Sequence, residues 1–72
     1  MELLEIINKV LENNGYQIIN ELNDDMNLKN DIGFDSFMLA ELTVEIEEAC
    51  NIDIFKDSLV FTVADIKKKL NA

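Results

Sequence analysis

Apolar residues recur at three- and four-residue spacing in three short stretches of this 72-residue chain. That periodicity constrains the fold more than any other feature. Leu4, Ile7, Val10 and Leu11 form one stripe on a helix expected from Glu2 to Asn13, with Glu5, Asn8, Lys9 and Glu12 elsewhere on its surface. Leu39, Leu42, Ile46, Ala49 and Cys50 form a second, on a helix expected to start at Asp35 or Ser36 and to end near Cys50. Val63, Ile66 and Leu70 form a third, beginning at Thr62. Helices with one apolar stripe each must bury it against one another, so the expected fold is all-α, a small three-to-four-helix bundle. The fourth element is a short helical turn expected near residues 56–60. Ile52-Asp53-Ile54-Phe55 alternates briefly, but no second strand exists to pair with it.

The ends of these helices are legible because proline is absent and the turns rest on Gly, Asn and Asp. Asn13-Asn14-Gly15 is a stop signal, and Asn51 is another. Asp35 suits the start of the second helix, where its carboxylate accepts from orphan N–H groups. Thr62-x-x-Asp65 has the form of a capping box at the start of the last. Lys67, Lys68 and Lys69 follow where cations complement the helix dipole. Tyr16 to Ile32 is expected to be a long loop between the first two helices, with Leu22, Met26 and Leu28 dipping into the core. The expected organisation is a single domain over residues 1–72.

Composition removes whole classes of chemistry. There is no histidine and no arginine, so the usual general base, the commonest zinc ligand and the bidentate phosphate clamp are all missing. A formal charge of −9 disfavours nucleic acid and anionic membrane as partners and favours proteins with basic patches. The lone Cys50 excludes an internal disulfide and reads as a small buried hydrophobe. The sequence shows neither signal peptide nor membrane span, and a cytoplasmic location is expected. Asn23-Asp24-Asp25 lacks the calcium-loop spacing, and no metal site is expected.

The informative stretch is Gly33-Phe34-Asp35-Ser36-Phe37. A glycine turn delivers a serine into the first turn of a helix, near the positive end of its dipole. A phosphate joined to that hydroxyl is stabilised there. The stretch resembles the Gly-x-Asp-Ser hallmark of acyl and peptidyl carrier proteins. The resemblance continues through Glu41-Leu42, Ile46-Glu47-Glu48, Ile52-Asp53-Ile54 and Thr62-Val63-x-Asp65-Ile66, nearly the whole chain. It departs from the common pattern at Phe37, Met38, Leu39, Cys50-Asn51 and Phe55.

The resemblance implies a carrier with no catalytic residues of its own. Ser36 receives 4′-phosphopantetheine from coenzyme A, attached by a phosphopantetheinyl transferase, with Asp35 beside it. The arm holds an acyl group as a thioester and presents it to biosynthetic enzymes. The implied partners are that transferase, an acyl-loading or adenylating enzyme, and downstream acyl-transfer enzymes with basic patches; a monomer is expected. Between Lys29 and Lys56 there is no cation, so Glu41, Glu45, Glu47 and Glu48 are read as a docking face, with Met38 as an apolar anchor beside Ser36. Leu42, Ile46, Ile54, Leu59 and Phe61 are read as core residues, part of which opens to shelter an acyl chain. Two alternatives stay open: an aminoacyl, peptidyl or D-alanyl carrier, and an unmodified acidic helical module that binds proteins without using Ser36.

Overall fold

The computed structural model describes residues 2–54 and 60–71. Helix α1 spans Leu3–Asn13, α2 spans Ser36–Cys50 and α3 spans Val63–Asn71. A single π-helical turn, Leu28–Ile32, lies between the first two. There is no strand among the described residues, and the expected helical turn near 56–60 lies outside them. No helix among the described residues is long and apolar enough to cross a membrane.

The helix ends are where the Asn, Gly and Asp signals place them. The α1 end closes in a pair of bonds, Gly15 N–H to the Glu12 carbonyl at 3.1 Å and Tyr16 N–H to the Leu11 carbonyl at 2.9 Å. That pairing satisfies the last carbonyls of the helix, and Gly15 allows it by adopting φ 81°. Asn51 ends α2 in the same left-handed region, at φ 59°. The α3 start is a reciprocal capping box. The Asp65 N–H donates to Thr62 Oγ1 at 3.2 Å, while Asp65 Oδ2 accepts from the N–H groups of Thr62 at 3.1 Å and Phe61 at 3.0 Å. Those bonds hold the Asp65 carboxyl below its ordinary range, Phe61 first and Thr62 second.

The apolar stripes meet in one core. Leu3, Ile7, Val10 and Leu11 come from α1, Met38, Leu42 and Ile46 from α2, and Val63 and Ile66 from α3. Leu28, Phe34, Ile54 and Val60 enter from the connections. No polar or charged side chain is buried among the described residues. Helices α1 and α2 run antiparallel. Lys9 pairs with Glu45 at 2.9 Å, and the side chains of Asn13 and Asn14 each donate to Glu41 at 3.1 Å, so rising numbers in α1 meet falling numbers in α2.

The long connection is more structured than the expected loop. Asn8 holds Ile19 at two points, donating to its carbonyl at 3.0 Å and accepting from its N–H at 2.9 Å. Farther on, Leu28 N–H donates to the Phe61 carbonyl at 2.8 Å, Val63 N–H to Met26 and Ala64 N–H to Asp24, both at 3.0 Å. A Lys67–Asp24 ion pair at 2.6 Å lies alongside. The connection is thus fastened to α1 at one end and to the start of α3 at the other. Leu28 is fully buried, as expected, and Leu22 and Met26 pack against the core from partly buried positions.

Candidate functional site

The turn before α2 is built to hold one backbone direction. Asn27 Oδ1 accepts from the N–H groups of Lys29 and Asn30, both at 2.9 Å, and Asp31 Oδ2 accepts from the Asn27 N–H at 2.7 Å. Gly33 then reverses the chain at φ 98°, a conformation that L side chains rarely adopt. The Leu28 carbonyl receives the N–H groups of both Gly33 and Phe34, the latter at 2.8 Å. Phe34 is buried at 3% exposure, so its ring pins the turn to the core immediately ahead of Asp35 and Ser36.

Asp35 is the N-cap of α2, as expected. Its Oδ1 accepts from the Met38 N–H at 2.8 Å. Ser36 is the first residue of the helix and is exposed. Its hydroxyl makes no hydrogen bond among the described residues, because the cap role belongs to Asp35. The Ser36 and Phe37 amides precede the first intrahelical bonds and remain open toward an anion. The hydroxyl thus stands on a pinned backbone, beside open amides at the positive end of a 15-residue helix.

The four glutamates do not share one environment. Glu41 accepts from Asn13 and Asn14, and Glu45 from Lys9, so both are half-buried against α1. The Lys9 ammonium is held above its ordinary range, first by the Glu45 hydrogen bond and then by its charge, with Glu48 and Glu41 adding. Glu47 and Glu48 are exposed.

Met38 is not a surface anchor: at 1% exposure it lies in the core, because it falls on the same side of α2 as Leu42 and Ile46. The large apolar side chains that α2 exposes are Phe37 at 72% and Val44 at 53%, with exposed Ala40 between them. Spaced by three and four residues, they make a second stripe on the solvent side of α2, running from Ser36 to Glu47 and Glu48. Sequence reasoning passed over it by treating Phe37 only as a departure from a family pattern. The signal was present in the spacing of 37, 40 and 44, masked because α2 is apolar on two sides.

Leu42, Ile46 and Ile54 are fully buried together in the core. Leu59 lies outside the described residues. Phe61 is not a core residue: it is 55% exposed. Its carbonyl is committed to Leu28 and its N–H to Asp65, which fixes the local backbone and turns the neighbouring Val60 and Val63 inward instead. Cys50 is half-buried rather than enclosed. No cluster of three or more metal-ligating side chains occurs among the described residues.

A family model described as a phosphopantetheine attachment site matches residues 2–68. No curated protein and no solved structure matches the chain. The matched span includes all of α1, the connection, Ser36 and its turn, and most of α3. The chain therefore belongs to the phosphopantetheine-attachment-site family, whose members carry a covalently attached 4′-phosphopantetheine.

Proposed function

We propose that this chain is an acyl carrier protein, with 4′-phosphopantetheine attached at Ser36. The observation that carries the reading is the exposed, unbonded Ser36 hydroxyl at the first position of α2, beside a cap that is already filled by Asp35. The residues present fit the group. The open amides of the first turn would be the donors for a phosphodiester on Ser36, and the pinned Phe34–Asp35 backbone would hold its point of attachment. When attached, the group supplies a terminal thiol that holds cargo as a thioester. The chain's own residues fix the attachment point, leave it open to solvent and offer a surface for recognition. Catalysis belongs to the partner enzymes.

The solvent side of α2 is the docking face in this reading. Glu47 and Glu48 supply free carboxylates for a basic partner, and Phe37, Ala40 and Val44 supply the apolar contact nearer Ser36. Glu41 and Glu45 contribute more weakly, since α1 already engages them. Leu42, Ile46 and Ile54 are the residues that would part to shelter an acyl chain. The acidic end of the α2 face supports acyl cargo, with an aminoacyl carrier as the neighbouring possibility within the same chemistry.

The test is intact mass after incubation with coenzyme A, Mg²⁺ and a broad-specificity phosphopantetheinyl transferase. One added phosphopantetheine on the wild type and none on Ser36→Ala is expected. No addition to the folded wild type, with a known carrier modified in the same tube, overturns the reading. Offering the loaded form to acyl-loading and to amino-acid-adenylating enzymes then separates the two kinds of cargo.

A further inference from the structure

The residues that stop α1 also carry a chemistry that Ser36 does not use. Of the nine asparagines in the chain, only Asn14 is followed by glycine. An asparagine in that pair is prone to lose its side-chain nitrogen. The backbone nitrogen that follows it attacks the side-chain carbonyl carbon, and glycine, with no Cβ, obstructs the attack least. In the folded chain three features oppose that attack. Gly15 N–H donates to the Glu12 carbonyl at 3.1 Å, so the attacking nitrogen is engaged. Asn14 Nδ2 donates to the Val10 carbonyl at 2.8 Å and to Glu41 Oε1 on α2 at 3.1 Å, which fixes the carboxamide. Ring closure also needs the Gly15 nitrogen on the Cβ side of the Asn14 Cα–C bond. At ψ 10° it lies beside the Asn14 nitrogen instead.

We propose that Asn14 is a deamidation site gated by the α1–α2 contact, at which a transient release of the α1 end becomes a permanent change. Once Asn14 leaves Val10 and Glu41, its ψ turns freely. The Gly15 amide gives its proton to hydroxide, and its nitrogen bonds to Asn14 Cγ. The Cγ–Nδ2 bond breaks, and Nδ2 leaves as ammonia on taking a proton from water. The succinimide ring then takes up one water at either carbonyl. One product is aspartate; the other is isoaspartate, with the main chain rerouted through Cβ. Either product weakens the contact that gated its formation. A carboxylate at position 14 has no N–H for the Val10 carbonyl, and it meets Glu41 with like charge. Isoaspartate also adds a backbone carbon just ahead of the Gly15 and Tyr16 N–H groups that close α1. A molecule that has opened for long enough to react therefore cannot close as it did before. None of these steps involves Ser36 or an arm attached to it.

The experiment holds the full chain at mildly alkaline pH, folded and in denaturing guanidinium chloride, and follows every asparagine by proteolysis and mass spectrometry. In denaturant, Asn14 is expected to convert ahead of the other asparagines. Folding is expected to slow it about tenfold or more, since reaction then waits on local opening. Without denaturant, Glu41→Ala is expected to convert faster than the wild type, and Ser36→Ala at the wild-type rate; circular dichroism checks that both remain helical. Equal rates in the folded and denatured wild type overturn the proposal. So does another asparagine leading in denaturant, or a folded Glu41→Ala that converts no faster than the wild type. Should Glu41→Ala fail to fold, the wild-type comparison decides. Thermal melts of Asn14→Asp and of Asn20→Asp, at an exposed position, test the consequence. Asn14→Asp is expected to melt lower, and matching melts overturn the weakening of the contact by the product.

Discussion

Among the described residues, two helix starts carry a hydroxyl, and they use it in opposite ways. At α3, Thr62 occupies the cap position and its Oγ1 is bound by the Asp65 amide, while Asp65 returns two bonds. At α2 the cap is Asp35, and Ser36 sits one residue later with its hydroxyl in solvent. A shift of one position along the chain separates a hydroxyl bound into the helix start from one left in solvent. An adjacent acid that takes over the cap therefore leaves the serine hydroxyl in solvent without leaving the helix start unsatisfied.

The comparison breaks most visibly at Ser36. Ser36→Ala is expected to abolish phosphopantetheine addition entirely while shifting stability by less than about 0.5 kcal/mol, as for surface positions without a partner; mass spectrometry and a thermal melt read the two. A clear fall in melting temperature would show that Ser36 is structural after all. Gly33→Ala tests whether the backbone beneath the serine matters. Nothing lies within 4 Å of an added Cβ, so the whole cost is that of holding a side chain at φ 98°, about 1–2 kcal/mol by urea denaturation. Its loading rate should fall as well, because the turn that aims Ser36 loosens.

Thr62→Ala is the mirror experiment: a loss of about 1 kcal/mol with phosphopantetheine addition retained. Asp65→Asn sharpens it through pH. The Asp65 carboxyl is held below its unfolded value, so the stability it contributes is present above about pH 4 and is lost as pH falls through its folded value. The variant should show a shallower acid limb than the wild type, and parallel limbs would remove Asp65 from the box. The smallest effects belong to the glutamates. Glu47→Lys or Glu48→Lys is expected to slow transferase loading at low salt and much less at high salt, with stability unchanged. Glu45→Gln should do the reverse, costing up to about 1 kcal/mol of stability with little change in rate.

Periodicity made the three helices legible, and their ends were legible because each used a strong local signal: Gly15, Asp35, Asn51 and the Thr62–Asp65 pair. The π-helical turn was not foreseen, although Asn27 and Gly33 bracket it with start and stop residues. Its hydrogen bonds reach from Leu28 to Phe61, and partners so far apart leave no mark on local spacing. Ser36 was legible through a motif. The division of the glutamates was not, because Glu41 and Glu45 differ from Glu47 and Glu48 only in facing α1. Met38 was misassigned, and Phe37 passed over, for a related reason. With apolar residues on two sides of α2, spacing alone does not say which side meets the core, and only the position of α1 and α3 decides it.

The amides of Leu28, Val63 and Ala64 join segments that are made far apart in time during synthesis. A chain that has not yet reached the start of α3 has no acceptor for Leu28 and no donors for Met26 and Asp24. The platform on which Ser36 stands is therefore closed only once the start of α3 has been made, well beyond the serine itself. With Ser36 modified as proposed, a transferase that requires the finished turn would act only on chains that have closed that seam, and the modification would record successful assembly.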